Sequence, residues 1–328
     1  MHGNAHIDQL LTALRDGQRA ALGRAITLVE STREQDRNSA QELIERCLPY
    51  SGNSLRLGIT GIPGVGKSTL IDALGMAMLK AGHRVAVLAV DPSSAHSSGS
   101  ILGDKTRMER LGTQDAAFIR PSPTSGVLGG VARCTRETII LCEAAGYDHL
   151  LIETVGVGQN ELEVDRMTDL NLLLMLSGAG DELQGIKRGI MESSDLIALT
   201  KAEGDNLTRA EAARRDLRNA VMYLPMRDGV RHPEVLLTSA VQGTGIQDLL
   251  AAIEKLRIAD SESGRTVVRR KEQGLFWMHH ALNTGIQERM LSDARINAAL
   301  PAMETAVQSG TMSPFKAAQE LLALFLDR

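Results

Sequence analysis

The alternation of apolar and polar positions divides the chain into three stretches. In residues 5 to 48, Leu10, Leu11 and Leu14 recur at helical spacing, as do Ile26, Leu28 and Val29, with charged residues filling the opposite faces. This predicts a helical extension, residues 1–50, packed on whatever follows. From 55 to about 257, short apolar runs alternate with amphipathic stretches. The predicted strands are Leu55–Thr60, Arg84–Val90, Ala116–Ile119, His149–Glu153, Asn171–Leu176, Leu196–Leu199 and Val235–Leu237. Several are apolar throughout, as strands are when both faces of a parallel sheet are covered by helices. The expected fold is therefore α/β, with a doubly wound, mostly parallel sheet over residues 51–260. Residues 258–272, IADSESGRTVVRRKE, are polar and charged and read as a connector. After it, Trp277, Met278, Ala281 and Leu282 form one helical stripe, and Leu321, Leu322, Leu324 and Phe325 another. Residues 261–328 are thus expected to be a helical arm that closes over its own domain or pairs with a second copy.

Composition narrows the function classes. The 328 residues carry 36 Lys and Arg against 40 Asp and Glu, a net charge of −4 that argues against a nucleic-acid coat. Aromatic residues make up 2%, too few for base-stacking platforms, and the 43% hydrophobic content is too high for a disordered chain. The three cysteines, Cys47, Cys134 and Cys142, stand far apart with no C-x-x-C. That excludes a disulfide framework and a cysteine-based zinc module, and fits a reducing cytoplasm. No apolar run is long enough to span a membrane, and MHGNAHIDQL lacks the blocks of a signal peptide.

The sharpest chemical signal is Gly61-Ile-Pro-Gly-Val-Gly-Lys-Ser68, which fits G-x-x-x-x-G-K-[ST] between a predicted strand and a predicted helix. Glycines let backbone amides turn inward around phosphate oxygens, and the helix N-terminus adds partial positive charge. The expected nucleotide contacts here are Gly61, Gly64, Val65, Gly66, Lys67, Ser68 and Thr69. Lys67 is expected to reach the β- and γ-phosphates, and Ser68 to ligate Mg²⁺. The fold class is thereby sharpened to a P-loop NTPase.

Two carboxylates are expected near the metal. His149–Glu153 is an apolar strand ending in a carboxylate and followed by Thr-Val-Gly156, similar to the Asp-x-x-Gly element of GTPases with Glu153 in place of Asp. Glu153 is expected to hold Mg²⁺ through water, and the Gly156 amide to meet the γ-phosphate. Asp91 follows the strand Arg84–Val90, at the carboxyl edge where ligands bind such sheets. After Gly156 stands Val157, where Ras-like enzymes place a water-positioning glutamine; Gln159 is two residues further on. Slow intrinsic hydrolysis accelerated by a partner is the expectation.

The base would be read by Thr200-Lys-Ala-Glu203, after the buried strand Leu196–Leu199. It is similar to Asn-Lys-x-Asp, with Lys201 lying along the base and the Glu203 carboxylate facing the N1 and N2 donors of guanine; adenine, with an unprotonated N1, would be repelled. Thr200 is expected to lose the amide that braces this loop. Ser239, Ala240 and Val241 stand in a stretch similar to the Ser-Ala loop whose amide meets guanine O6. An ATPase of the same class is the competing reading.

These residues are joined by longer stretches: VLAVDPSS (87–94), GDKTRMERL (103–111), IRPSPTSGVLGGVAR (119–133), LCEAAGYD (141–148), IETVGVGQNE (152–161) and GAGDELQGIKRGIMESSD (178–195). Together the sequence resembles the GTPases associated with methylmalonyl-CoA mutase, the MeaB/ArgK group, related to the human methylmalonic aciduria type A protein. The resemblance covers most of residues 40–260 and, more loosely, both helical ends. It implies a GTPase chaperone, binding GTP and GDP with Mg²⁺, for an adenosylcobalamin-dependent acyl-CoA mutase and its adenosyltransferase. It also implies a cytoplasmic homodimer formed through the C-terminal arm, with neither a nucleic-acid nor a membrane partner. Carried over, Ser68, Asp91 and Glu153 surround the metal, and Asp104 stands in the first mobile loop. Lys67, Asp91, Asp104, Glu153 and Gln159 form the catalytic neighbourhood. Gly178, Asp181, Glu182, Gln184 and Lys187 belong to a further switch that relays nucleotide state to the partner, and Lys187 is a candidate to pair with Glu153 in one state. Departures from the family pattern are Glu203 for Asp, Cys134 for a basic residue and Ser177 for proline. A nickel-type metallochaperone GTPase is a second reading. It needs clustered ligands, and of the eight histidines only His279 and His280 are adjacent in the chain, where helical neighbours diverge by about 100°.

Overall fold

The computed structural model describes residues 2–31, 33–90, 108–120, 130–154, 164–177, 188–227 and 229–327. Seven strands form one sheet: β1 Leu55–Gly61, β2 Val85–Val90, β3 Ala117–Arg120, β4 His149–Thr154, β5 Leu170–Leu176, β6 Leu196–Thr200 and β7 Glu234–Leu237. The seven predicted strands are all present, each within a residue of its expected bounds. The order is β3-β2-β4-β1-β5-β6-β7 and every pairing is parallel. β1 therefore lies in the middle, between β4 and β5, and carries the phosphate loop at its carboxyl end.

The uniform apolarity of the strands follows from burial on both faces. Leu57, Ile59, Leu172 and Leu174 are fully buried with residues of helices Lys67–Lys80 and Ile246–Glu262. On the other face Leu173, Met175, Ile197 and Leu199 pack with Leu217 and Val221 of helix Leu207–Val221. Each fully buried Leu or Ile contributes about 1.5–3 kcal/mol relative to exposure, so the central strands anchor the site above them. The result is the doubly wound α/β fold read from the sequence.

The helical N-terminal stretch gains its detail, and the connector reading is corrected. The stretch 5–48 is three helices, His2–Arg15, Arg19–Glu30 and Glu34–Cys47, followed by a 3₁₀ turn at Leu48–Tyr50. The first break centres on Gly17, whose φ of 74° ends the first helix. The predicted connector 258–272 is helical except for Ser263 and Gly264, because helix Ile246–Glu262 is followed at once by helix Arg265–Leu291. Its charges suggested a solvated linker, but they serve internal ion pairs. Arg265 meets Asp260 at 2.8 Å, Arg269 meets Asp165 at 2.7 Å and Arg270 meets Asp169 at 2.6 Å. Asp260 and Asp169 are buried, so these arginines neutralise charge that would otherwise be stranded.

The chain divides into two compact units, residues 1–270 and 271–328, and the N-terminal helices belong to the first. In the second, helices Ala294–Gln308 and Pro314–Leu326 pack together and bury Ile296, Ala317 and Leu321. Asp293 and Ser313 cap them by accepting main-chain N–H bonds. Among the described residues, no helix is long and apolar enough to cross a membrane.

Candidate nucleotide site

The phosphate loop leaves β1 at Gly61 and enters helix Lys67–Lys80 at its N-cap, Gly66. Gly64 (φ 78°) and Gly66 (φ 99°) adopt left-handed backbone, which is why this turn uses glycine. Gly61 is needed for space: a Cβ there would stand 2.7 Å from the Leu174 carbonyl oxygen on neighbouring β5. Lys67 arches back over the loop and donates from Nζ to the carbonyls of Gly61 (2.6 Å) and Ile62 (3.2 Å). A long cation held over a turn at a helix N-terminus is suited to phosphate oxygens. Val65 takes part through its main chain alone. Its side chain is fully buried, and its N–H donates to the Ile62 carbonyl at 3.3 Å. The Thr69 side chain is exposed.

Glu153 sits near the carboxyl end of β4, opposite Ile59 of β1 and Ala89 of β2. It is buried, and the Ser68 hydroxyl lies 3.4 Å from its Oε1. One hydroxyl and one carboxylate converging beside a phosphate loop fit Mg²⁺, which takes few protein oxygens and leaves its other positions to phosphates and water. The structure thus brings Glu153 of β4 beside Ser68, the neighbour of Lys67, joining two separate stretches of sequence.

The base-reading segment is fastened to the same loop. Thr200 Oγ1 donates to the Val65 carbonyl at 2.6 Å and lies 3.3 Å from that of Met175. The sequence reading assigned Thr200 the loss of a brace; the hydroxyl instead supplies one. Lys201 Nζ donates to the Gly64 carbonyl at 3.0 Å. Lys201 is the one described non-glycine residue with positive φ (55°), and the Asn206 side chain holds it there by donating to its carbonyl at 2.7 Å. Ser239 is fully buried and donates its hydroxyl hydrogen to Oε2 of Glu203, while its oxygen accepts the Gln242 N–H at 3.1 Å. The longer side chain of Glu203 is thereby tethered to the Ser-Ala loop, with Oε1 as its other acceptor. Val241 is 79% exposed and Ala240 is half-buried.

Asp91, Asp104, Gly156, Gln159, Gly178, Asp181, Glu182, Gln184 and Lys187 lie outside the described residues. Asn206 was missed in the sequence. It joins two segments, donating to Lys201 and accepting from the Ser177 hydroxyl at 2.7 Å. Its place three residues after Glu203 was the available signal.

A parallel sheet whose central strand feeds this lysine-bearing loop, with a buried carboxylate beside the serine and a Thr-Lys-x-Glu segment tied to a Ser-Ala loop, defines a P-loop GTPase. The chain belongs to the family described as methylmalonyl-CoA mutase-associated GTPase MeaB, whose model matches residues 22–295. A probable GTPase of Mycobacterium tuberculosis is 49% identical over 98% of this chain and 96% of its own. The mouse mitochondrial methylmalonic aciduria type A homologue is 44% identical over 98% of this chain and 80% of its own, and the Escherichia coli GTPase ArgK 43% over 96% and 95%. A crystal structure described as a LAO/AO transport system kinase superposes with a TM-score of 0.78 at 36% identity, covering 98% of both chains.

Proposed function

We propose that this GTPase binds GTP and GDP with Mg²⁺ and governs cofactor loading, protection or reactivation of an adenosylcobalamin-dependent acyl-CoA mutase in the cytoplasm. The observation that carries the guanine assignment is the tether of Glu203 to Ser239 beside Lys201, which is itself anchored on the phosphate loop. A carboxylate in this segment suits guanine, whose N1–H and N2–H donate, over adenine, which has no matching donor at N1. Ser68, Glu153 and Asp91 surround the metal, Asp104 and Gln159 serve hydrolysis, and Gly156 reads the γ-phosphate. The segment bearing Gly178, Asp181, Glu182, Gln184 and Lys187 follows directly on β5 and Ser177, and transmits nucleotide state to the mutase and its adenosyltransferase. The name of the mouse relative and the family description support that partner.

The second unit supports a homodimer. Leu275, Met278, Leu282 and Ile286 recur along one stripe of helix Arg265–Leu291 and are each more than half exposed, as is Phe315.

Calorimetric titration with GDP and ADP in Mg²⁺ tests the base assignment: micromolar GDP binding without ADP binding is expected, and equal binding overturns it. Turnover measured with and without a methylmalonyl-CoA mutase tests the partner. Slow hydrolysis that accelerates on addition is expected; fast hydrolysis by the isolated protein, or no response, removes the chaperone reading.

A further inference from the structure

At the edge of the sheet opposite the phosphate loop, two histidines far apart in the chain come together. His149 opens β4, paired in register with Leu55 and Val85, the first residues of β1 and β2. His83 lies just before β2, and its ring centroid is 3.9 Å from that of His149. Asp148 bridges them, with Oδ2 at 3.1 Å from His83 Nδ1 and Oδ1 at 3.1 Å from His149 Nδ1. One ligand atom from each of the three residues lies within 4.8 Å of the others.

The second contact of His149 decides its chemistry. Its Nε2 is 2.8 Å from Oε1 of Glu254, on helix Ile246–Glu262, and Arg257 holds the other oxygen of that carboxylate at 2.7 Å. A carboxylate only accepts, so Nε2 carries the proton, and in the neutral ring Nδ1 presents a lone pair. That lone pair faces another acceptor, Asp148 Oδ1, which also receives the Arg84 N–H at 2.8 Å. Acceptors converging without a hydrogen between them call for a cation. A histidine whose second nitrogen donates to a carboxylate is the usual arrangement around a bound metal, because it fixes the tautomer and raises ligand basicity.

We propose that His83 Nδ1, His149 Nδ1 and an Asp148 oxygen bind one divalent transition-metal ion of the zinc class, with Glu254 orienting His149 from behind. Two ligands bonded at about 2.1 Å to a tetrahedral centre sit roughly 3.4 Å apart. Each histidine nitrogen is 3.1 Å from a different oxygen of Asp148, and one atom from each residue lies within 4.8 Å of the others, so closing on one ion takes a turn of the half-exposed Asp148 carboxylate and shifts of about an ångström. Imidazole nitrogen with one carboxylate suits Zn²⁺, Co²⁺ or Ni²⁺ rather than Mg²⁺, so this site is chemically distinct from the one at Ser68 and Glu153. The His149 side chain is 3% exposed and anchors the site; those of His83 (27%) and Asp148 (47%) open it to solvent, giving an entry path and room for a water or outside ligand. The ion would tie the start of β2 to the start of β4, with helix Ile246–Glu262 linked to it through Glu254. A second proton on His149, shared between Asp148 and Glu254, is the rival occupant.

The test uses the full chain, stripped with a chelator and titrated with Zn²⁺ or Co²⁺ under excess Mg²⁺, which saturates oxygen-only sites. One equivalent of Zn²⁺ per chain is expected, with Co²⁺ giving the visible absorption of a nitrogen- and oxygen-ligated ion. His83→Ala should weaken binding by at least ~100-fold, and Glu254→Gln by about 10- to 100-fold. His279→Ala should change nothing, and GDP affinity should be the same in His83→Ala as in the parent. His83 lies outside the strands and is part-exposed, so its variant is expected to fold; His83→Asn, which keeps a polar group at that position, repeats the measurement if the alanine variant melts early. No Zn²⁺ or Co²⁺ uptake, the outcome for the proton alone, overturns the proposal. So does uptake unchanged by both His83 variants.

Discussion

The Thr200 hydroxyl donates to the main-chain carbonyl of Val65 at 2.6 Å, and through that bond the strand that delivers the base-reading segment holds the phosphate loop. Thr200 is 4% exposed, so water does not replace the donor easily. Thr200→Val keeps the shape and leaves the carbonyl unsatisfied. The expected cost is about 1–3 kcal/mol, read as a lower denaturant midpoint, with Thr200→Ser close to the parent. A valine variant as stable as the parent would show that the bond bears no load.

Gly61 tests the path of the loop. An alanine there places its Cβ 2.7 Å from the Leu174 carbonyl oxygen, at a φ of 155°. Neither backbone can move cheaply in the centre of a parallel sheet, so Gly61→Ala should lose about 1–3 kcal/mol of stability and most of its nucleotide affinity. Fluorescent GDP titration alongside a thermal melt separates the two effects. Gly82→Ala is the comparison: φ is 94° there, but a Cβ meets no atom within 4 Å, so strain without a clash should spare binding.

Glu203→Gln keeps an acceptor for the Ser239 hydroxyl but removes the negative charge. Hydrogen bonds to charged groups contribute about 1.5–3 kcal/mol, and tenfold in affinity corresponds to about 1.4 kcal/mol. GDP affinity should therefore fall about 10- to 100-fold in calorimetry while ADP stays unbound. Unchanged GDP affinity would mean that the carboxylate does not meet the base.

Acid should weaken the first unit through Glu143. Burial pushes this carboxyl up, but the Arg56 charge and hydrogen bonds, the Ser54 hydroxyl and the Gly52 N–H together hold it below its ordinary 4.5. Arg56 reaches the two oxygens at 2.8 and 2.9 Å. A depressed folded-state pKa gives stability that is fully present above the unfolded value and lost as pH falls through the folded one. Urea midpoints of the parent should thus drop on acidification below about pH 4.5, whereas Glu143→Gln should start lower at neutral pH and show a shallower acid limb. Parallel pH profiles would remove Glu143 as a source of the dependence.

The seven strands were legible because each is short and rich in apolar residues, several without interruption, and such runs have few places to go except between two layers of helices. The phosphate loop was legible for a local reason too. Gly61, Gly64, Gly66, Lys67 and Ser68 work through turn geometry and a helix N-terminus, all within eight residues. Misreadings arose where a residue's partner lies far away in the chain. Arg269 and Arg270 looked like part of a solvated linker because their carboxylates, Asp165 and Asp169, belong to other segments.

By itself, the sequence determined the fold class, the order of elements and the residues of the phosphate loop, since periodicity and turn chemistry act over a few positions. The tertiary structure decided which distant groups meet. The strand order β3-β2-β4-β1-β5-β6-β7 puts Glu153 beside Ser68 and the end of β6 beside the phosphate loop. It also sets the starts of β2 and β4 side by side, so that His83, Asp148 and His149 converge at the far edge of the sheet. No local pattern encodes such meetings. They come from the parallel pairing of the seven strands, which aligns carboxyl ends on one edge and amino ends on the other.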